Sequence, residues 1–158
     1  MPSNVSHLMT AMVVQGAASL AMGGPALSGF TFFAGLVSML INLDYSKREG
    51  IARTTWGHST AGALLWSFSF FAICVLLSAF GFLVLDFAIH LSLAFAVSYG
   101  THLALDSLTI EGIFIGRKRT NISRIGLAPR GENSALLNSY CCIISAIILM
   151  VYIGLTPL

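Results

Sequence analysis

The chain has 158 residues, 56% hydrophobic and only 9% charged, with a net charge of +2. A soluble domain carries about 25% charged residues, so this composition argues against a soluble fold, a disordered chain and a disulfide scaffold, and leaves a helical membrane protein. The net charge is too small to predict a nucleic-acid partner, which needs a basic face or stripe.

The N-terminal MPSNVSH holds no Lys or Arg, so no secretory signal peptide is read there. The first apolar stretch, 8–22, is short, is interrupted by Thr10, Gln15 and Ser19, and ends at Gly23-Gly24-Pro25. The second, 26–43, is nearly devoid of polar side chains, and a polar loop follows from Asp44 to Gly57. The tract from His58 to Leu105 exceeds the roughly 20 residues of one span. It reads as two spans, 58–79 and 85–105, with a tight turn near Phe80–Asp86. A second polar loop runs from Asp106 to Asn133, and a last span is expected at 135–155. The expected fold is all-α, a polytopic membrane helical bundle of four to five transmembrane helices in one integral domain. The small-residue sets Gly16/Ala17/Ala18 and Gly57/Ala61/Gly62 should let helices approach closely. Cys74, Cys141 and Cys142 lie in apolar runs without a CxxC spacing and read as small apolar residues.

All eight basic residues fall in the two polar loops: Lys47, Arg48 and Arg53 in one, Arg117, Lys118, Arg119, Arg124 and Arg130 in the other. Two expected spans separate the loops, so both face one side, and the positive-inside rule makes that side cytoplasmic. Counting spans backwards puts the N-terminus there as well. The expected location is therefore the cell membrane, with multiple passes.

On this topology the potential metal ligands gather. His7 precedes the first span, Asp44 follows the second, His58 opens the third, and His102 and Asp106 close the fourth. Five candidates from four helix ends converge on one face, although Lys and Arg alone set the orientation. His102 and Asp106 are four residues apart, so on a helix they share a face. Imidazole and carboxylate are both zinc ligands, and a divalent metal held there would activate water for hydrolysis. Each residue has a plainer reading: a solvated end for His7, a cap for Asp44, an interfacial His58, a mutually bonded His102–Asp106 pair. Asp86 and His90 form a second acid–imidazole pair at the opposite end of the fourth span, read as structural.

These residues carry a resemblance. Ser6-His7, Leu43-Asp44, Gly57-His58-Ser59 and above all the run Gly100-Thr-His-Leu-Ala-Leu-Asp-Ser-Leu-Thr-Ile-Glu-Gly112 resemble the predicted membrane-bound metal-dependent hydrolases, the YdjM-like group and its archaeal-type relatives. The resemblance covers roughly residues 6–112. That group is similar in ligand pattern to the zinc phospholipase C class of all-helical phosphodiesterases. The resemblance implies a hydrolase whose divalent metal, zinc by analogy, is held by His7, Asp44, His58, His102 and Asp106. Where the group often has Asp-x-Asp, this chain has Asn42-Leu43-Asp44.

The expected activity is a metal-dependent attack of water on an ester or phosphoester, lipid-linked, at the cytoplasmic interface. Membrane lipid is the expected partner, and Arg53, Arg117, Lys118 and Arg119 are candidates to hold an anionic group. Their plainer reading is topology setting and contact with anionic lipid. The rival is a non-enzymatic structural or assembly protein that keeps the polar cluster for helix–helix bonding. A carrier is disfavoured, since the chain shows no internal repeat.

Overall fold

The structure, a computed structural model, describes residues 4–21, 29–41, 57–108, 112–115, 118–120 and 142–148. Four helices and one small hairpin order this part of the chain: α1 (Asn4–Ala21), α2 (Gly29–Ile41), α3 (Thr60–Ala79), α4 (Leu85–Ser107), β1 (Ile113–Ile115) and β2 (Lys118–Thr120). Residues 142–148 are also helical, and Ser6 Oγ of α1 lies 3.8 Å from Cys142 Sγ of that segment.

The element boundaries follow local chemistry. Ser59 caps α3, its hydroxyl accepting from the Gly62 amide at 2.9 Å, and so satisfies one of the open donors of the first turn. At the other end the Phe82 amide bonds to the Leu77 carbonyl and the Gly81 amide to the Ser78 carbonyl. That is a Schellman closure, and it needs a left-handed residue, supplied by Gly81 at φ 79°. The tight turn expected near Phe80–Asp86 is therefore a helix stop at 80–84, after which α4 begins. α1 begins before the expected 8–22 span, which puts His7 inside its first turns, and α4 runs past 105, which makes Asp106 helical. His58 lies not in α3 but in the turn that leads into it.

The loop 106–133, expected to be merely polar, contains the hairpin. β1 pairs antiparallel with β2, Phe114 opposite Arg119. Three-residue strands are too short for an alternation of polar and apolar residues to announce them.

α4 is the central helix and packs against α1, α2 and α3, while α1 also packs on α2. Two bonds set the register of α4 against α2. The Ser98 hydroxyl donates to the Ala34 carbonyl, and one turn along, His102 Nδ1 donates to the Ser38 carbonyl at 3.0 Å. Both pairs advance by four residues in the same direction, so α2 and α4 run parallel. Aromatic rings join α3 to α4, with Phe70 stacked on Phe95 at 4.4 Å. The close approach of α1 and α2 occurs at Gly35, where an added Cβ would come within 2.7 Å of Met12 Cγ and 3.1 Å of the Leu8 carbonyl oxygen. Of the residues expected to allow close approach, Gly16, Gly57 and Gly62 are buried, whereas Ala17 and Ala61 are exposed.

The distribution of polarity is the reverse of a soluble domain. Ser6, His7, Gln15, Ser38, Ser98, His102 and Asp106 are buried, whereas Leu64 is 74% and Phe68 71% exposed. α3 and α4 are long and apolar enough to cross a membrane. At about 1.5 Å per residue, the 20 residues of α3 match a hydrocarbon core of about 30 Å. α1 and α2 contain shorter apolar helices, so two of the four to five expected spans meet this condition among the described residues.

Candidate metal centre

Four helix ends meet at one end of the bundle: the start of α1, the end of α2, the turn before α3 and the end of α4. They bring together His7, His58, His102 and Asp106, each no more than 1% exposed. The Nε2 atoms of all three histidines face one carboxylate. His7 Nε2 is 3.6 Å from Asp106 Oδ1, His58 Nε2 3.6 Å from Oδ2, and His102 Nε2 3.3 Å from Oδ2. The His7 and His102 rings stack at 4.1 Å, and the His58 ring tilts toward His102 at 5.3 Å.

His102 shows how the chain orients an imidazole. The Ser38 carbonyl can only accept, so the Nδ1 that bonds to it at 3.0 Å carries the proton. In the neutral ring this leaves the lone pair on Nε2, and Nε2 points at a carboxylate oxygen that is itself an acceptor. A cation belongs between two such acceptors. His7 and His58 could each donate to Asp106 as neutral Nε2–H tautomers, whereas His102, with its proton on Nδ1, could not. A divalent ion beside His7, His102 and Asp106 would meet the His102 lone pair and the carboxylate together.

The spacing fits that reading. His7, His102 and Asp106 each present a ligand atom within 4.8 Å of the others, so this buried group could hold a metal ion. The donor set, imidazole nitrogen with a carboxylate, is one that suits zinc and other divalent first-row ions.

A second layer holds His58. The Tyr99 hydroxyl donates to the Gly57 carbonyl at 3.1 Å, and the Phe114 amide donates to the His58 carbonyl at 2.9 Å. Tyr99 also packs with Leu103 and Ile113 in the small apolar core beneath the hairpin. Ser38, Tyr99 and the hairpin were not singled out as site residues from the sequence. Tyr99 alone had a signal, because it lies three residues before His102 on the same helix face. Ser38 acts through its backbone, which no side-chain pattern reveals.

Asp44, Arg53 and Arg117 lie outside the described residues. Lys118 is exposed on β2, and Arg119 takes part in the hairpin through its backbone. Asp86 and His90 sit at the far end of α4, where His90 Nδ1 is 2.8 Å from the Asp86 carbonyl and 3.6 Å from its carboxylate. Comparison with protein-family models, curated proteins and solved structures yields no match to this chain.

Proposed function

We propose that this protein is a membrane-bound, metal-dependent hydrolase of the YdjM-like kind, acting on an ester or phosphoester at the cytoplasmic membrane interface. The observation that carries the proposal is the convergence of three buried imidazole Nε2 atoms on Asp106, with His102 held by Ser38 in the tautomer that offers Nε2 as a ligand. His7, His58, His102 and Asp106 would hold the ion, zinc by donor chemistry, with Asp44 as a further candidate. A bound divalent ion supplies Lewis-acid activation of water at neutral pH. The chain's own residues fix the imidazoles, keep bulk water from the buried carboxylate and close the site at one end of the bundle.

The membrane assignment rests on α3 and α4 and on the exposed apolar faces of the helices. In this proposal α1, α2 and the segment around 142–148 complete a bundle of four to five spans, with the N-terminus and both basic loops on the cytoplasmic side. Arg53, Arg117, Lys118 and Arg119 would meet the anionic part of the substrate or of the surrounding lipid.

Metal content is the test. Protein purified in detergent, after exposure to zinc and desalting, should retain close to one equivalent of metal, and His102→Ala and Asp106→Asn should retain none. Equal metal in wild type and variants defeats the proposal. The alternative, a non-enzymatic assembly protein, draws on the same geometry, since Asp106 within 3.6 Å of three histidines can also fasten helix ends; it requires no bound metal. A screen of esters and phosphoesters, including lipid ones, then separates a metal-holding protein from an enzyme.

A further inference from the structure

We propose that α1 and α2 hold an internal water between Gln15 and Thr31, in the interior of the bundle about two helical turns from the His/Asp cluster. The inference does not rest on the metal reading. It assigns a separate polar site whose ligand is water.

The two side chains face each other across the α1–α2 interface. Gly35 marks that interface, because a Cβ added there would come within 2.7 Å of Met12 Cγ and 3.1 Å of the Leu8 carbonyl oxygen. Gln15 is three residues past Met12 and seven past Leu8, so it lies on the face of α1 that meets α2. Thr31 is four residues before Gly35, so it lies on the face of α2 that meets α1. Depth agrees. The start of α1 and the end of α2 both lie at the cluster, through His7 and Ser38, so the two helices are antiparallel. Moving away from the cluster, Thr31 is about 6 Å beyond Gly35 and Gln15 about 4.5 Å beyond Met12, at 1.5 Å per residue. Both therefore occupy one layer of the bundle.

The chemistry of that layer is incomplete without a further group. Gln15 is 3% and Thr31 1% exposed. The Gln15 amide nitrogen donates to the Ser19 hydroxyl at 3.3 Å. Gln15 Oε1 and Thr31 Oγ1, however, have no hydrogen-bond partner among the described residues, and so are not bonded to each other. A carboxamide oxygen accepts, and a hydroxyl both donates and accepts. Leaving both unbonded away from solvent is costly, whereas one water donates to Gln15 Oε1 and bonds to Thr31 Oγ1 at the same time. A buried water keeps two to four such bonds, and this pair supplies two. The neighbouring helix offers no rival partner. On α4, Ala94 is one turn before Ser98, whose hydroxyl meets the Ala34 carbonyl three residues past Thr31. Ala94 is fully buried and has no polar side-chain atom to give.

Gln15 is the only glutamine in the chain, so isotope-labelled glutamine gives a single side-chain amide signal by NMR. With the full chain in detergent micelles, the Gln15 amide protons should show a cross-peak to water whose NOE and ROE have opposite signs, the mark of a bound water rather than of proton exchange. Thr31→Val replaces the hydroxyl by a methyl, and the cross-peak should be lost. Thr31→Ser keeps a hydroxyl and should keep the cross-peak. Ser92→Ala, in the separate groove between α3 and α4, should leave it unchanged. No cross-peak in wild type, a cross-peak with the signs of exchange, or one undiminished in Thr31→Val overturns the inference. The readout involves no metal, so the two proposals fail separately. A wild-type protein that shows the bound water but retains no zinc refutes the hydrolase reading alone. One that retains zinc without the cross-peak refutes the water site alone.

Discussion

His102 Nδ1 lies 3.0 Å from the carbonyl oxygen of Ser38, and this bond joins the ends of two parallel helices at the cluster. It fixes the ring's tautomer and its rotation together, so Nε2 faces Asp106 whenever α2 and α4 are in register. Removing the ring should lower metal affinity by more than about 100-fold, beyond the range for outer-layer changes. Ser98→Ala loses the parallel bond to Ala34 one turn away and should cost about 1 kcal/mol of stability, with the metal retained. Metal analysis beside thermal unfolding in detergent distinguishes the two variants; retention of metal by His102→Ala counts against its role as a ligand.

Tyr99 acts at one remove. Tyr99→Phe deletes the hydroxyl that holds the Gly57 carbonyl at 3.1 Å and leaves the ring in its apolar core. Metal affinity should fall about tenfold, the lower range for outer-layer partners, with little change in fold. A competition titration against a chelator of known affinity reads this directly, and an unchanged affinity means that His58 does not depend on that clamp.

Asp106→Asn keeps the shape of the side chain and removes its charge. Wild-type protein should lose thermal stability when a chelator is added, because a metal bound at 100 times its Kd contributes about 2.7 kcal/mol. The variant should show no such response. If the carboxylate only fastens helix ends, chelator leaves both proteins unaffected and the variant is simply less stable.

Gly35→Val tests the α1–α2 contact. The added Cβ would come within 2.7 Å of Met12 Cγ and 3.1 Å of the Leu8 carbonyl oxygen. Such overpacking should cost about 1–3 kcal/mol. His7 lies on the helix that must move, so metal affinity should fall along with the melting temperature. A fall in stability alone places the strain away from the cluster.

Gly81→Ala is a test of fold alone. Its φ of 79° is strained for any residue with a Cβ, so the turn between α3 and α4 should lose about 1 kcal/mol with metal content intact.

How legible this was in the sequence depends on what each feature requires. The apolar runs showed where helices would form, because in lipid a backbone must satisfy its own hydrogen bonds. The gathering of His7, His58, His102 and Asp106 was readable from chain order, since successive antiparallel helices return alternate ends to one side. The spacing of His102 and Asp106 showed one face of one helix. The Ser38 carbonyl could not be read, because every residue has one and only the packed register selects it. The hairpin was hidden by its length, and the Gly35 contact by the absence of any mark that distinguishes it from Gly16 or Gly62. The orientation of Tyr99 toward Gly57 emerged only once α3 and α4 had been set side by side.

The cluster draws its members from the first turns of α1, the turn before α3 and the last turns of α4. A growing chain therefore owns no complete site until Asp106 has been made and α4 has docked between its neighbours. Under the proposed metal-binding role, occupancy would report whether these helix ends have come together, and a chain with one helix misplaced would fail to hold an ion.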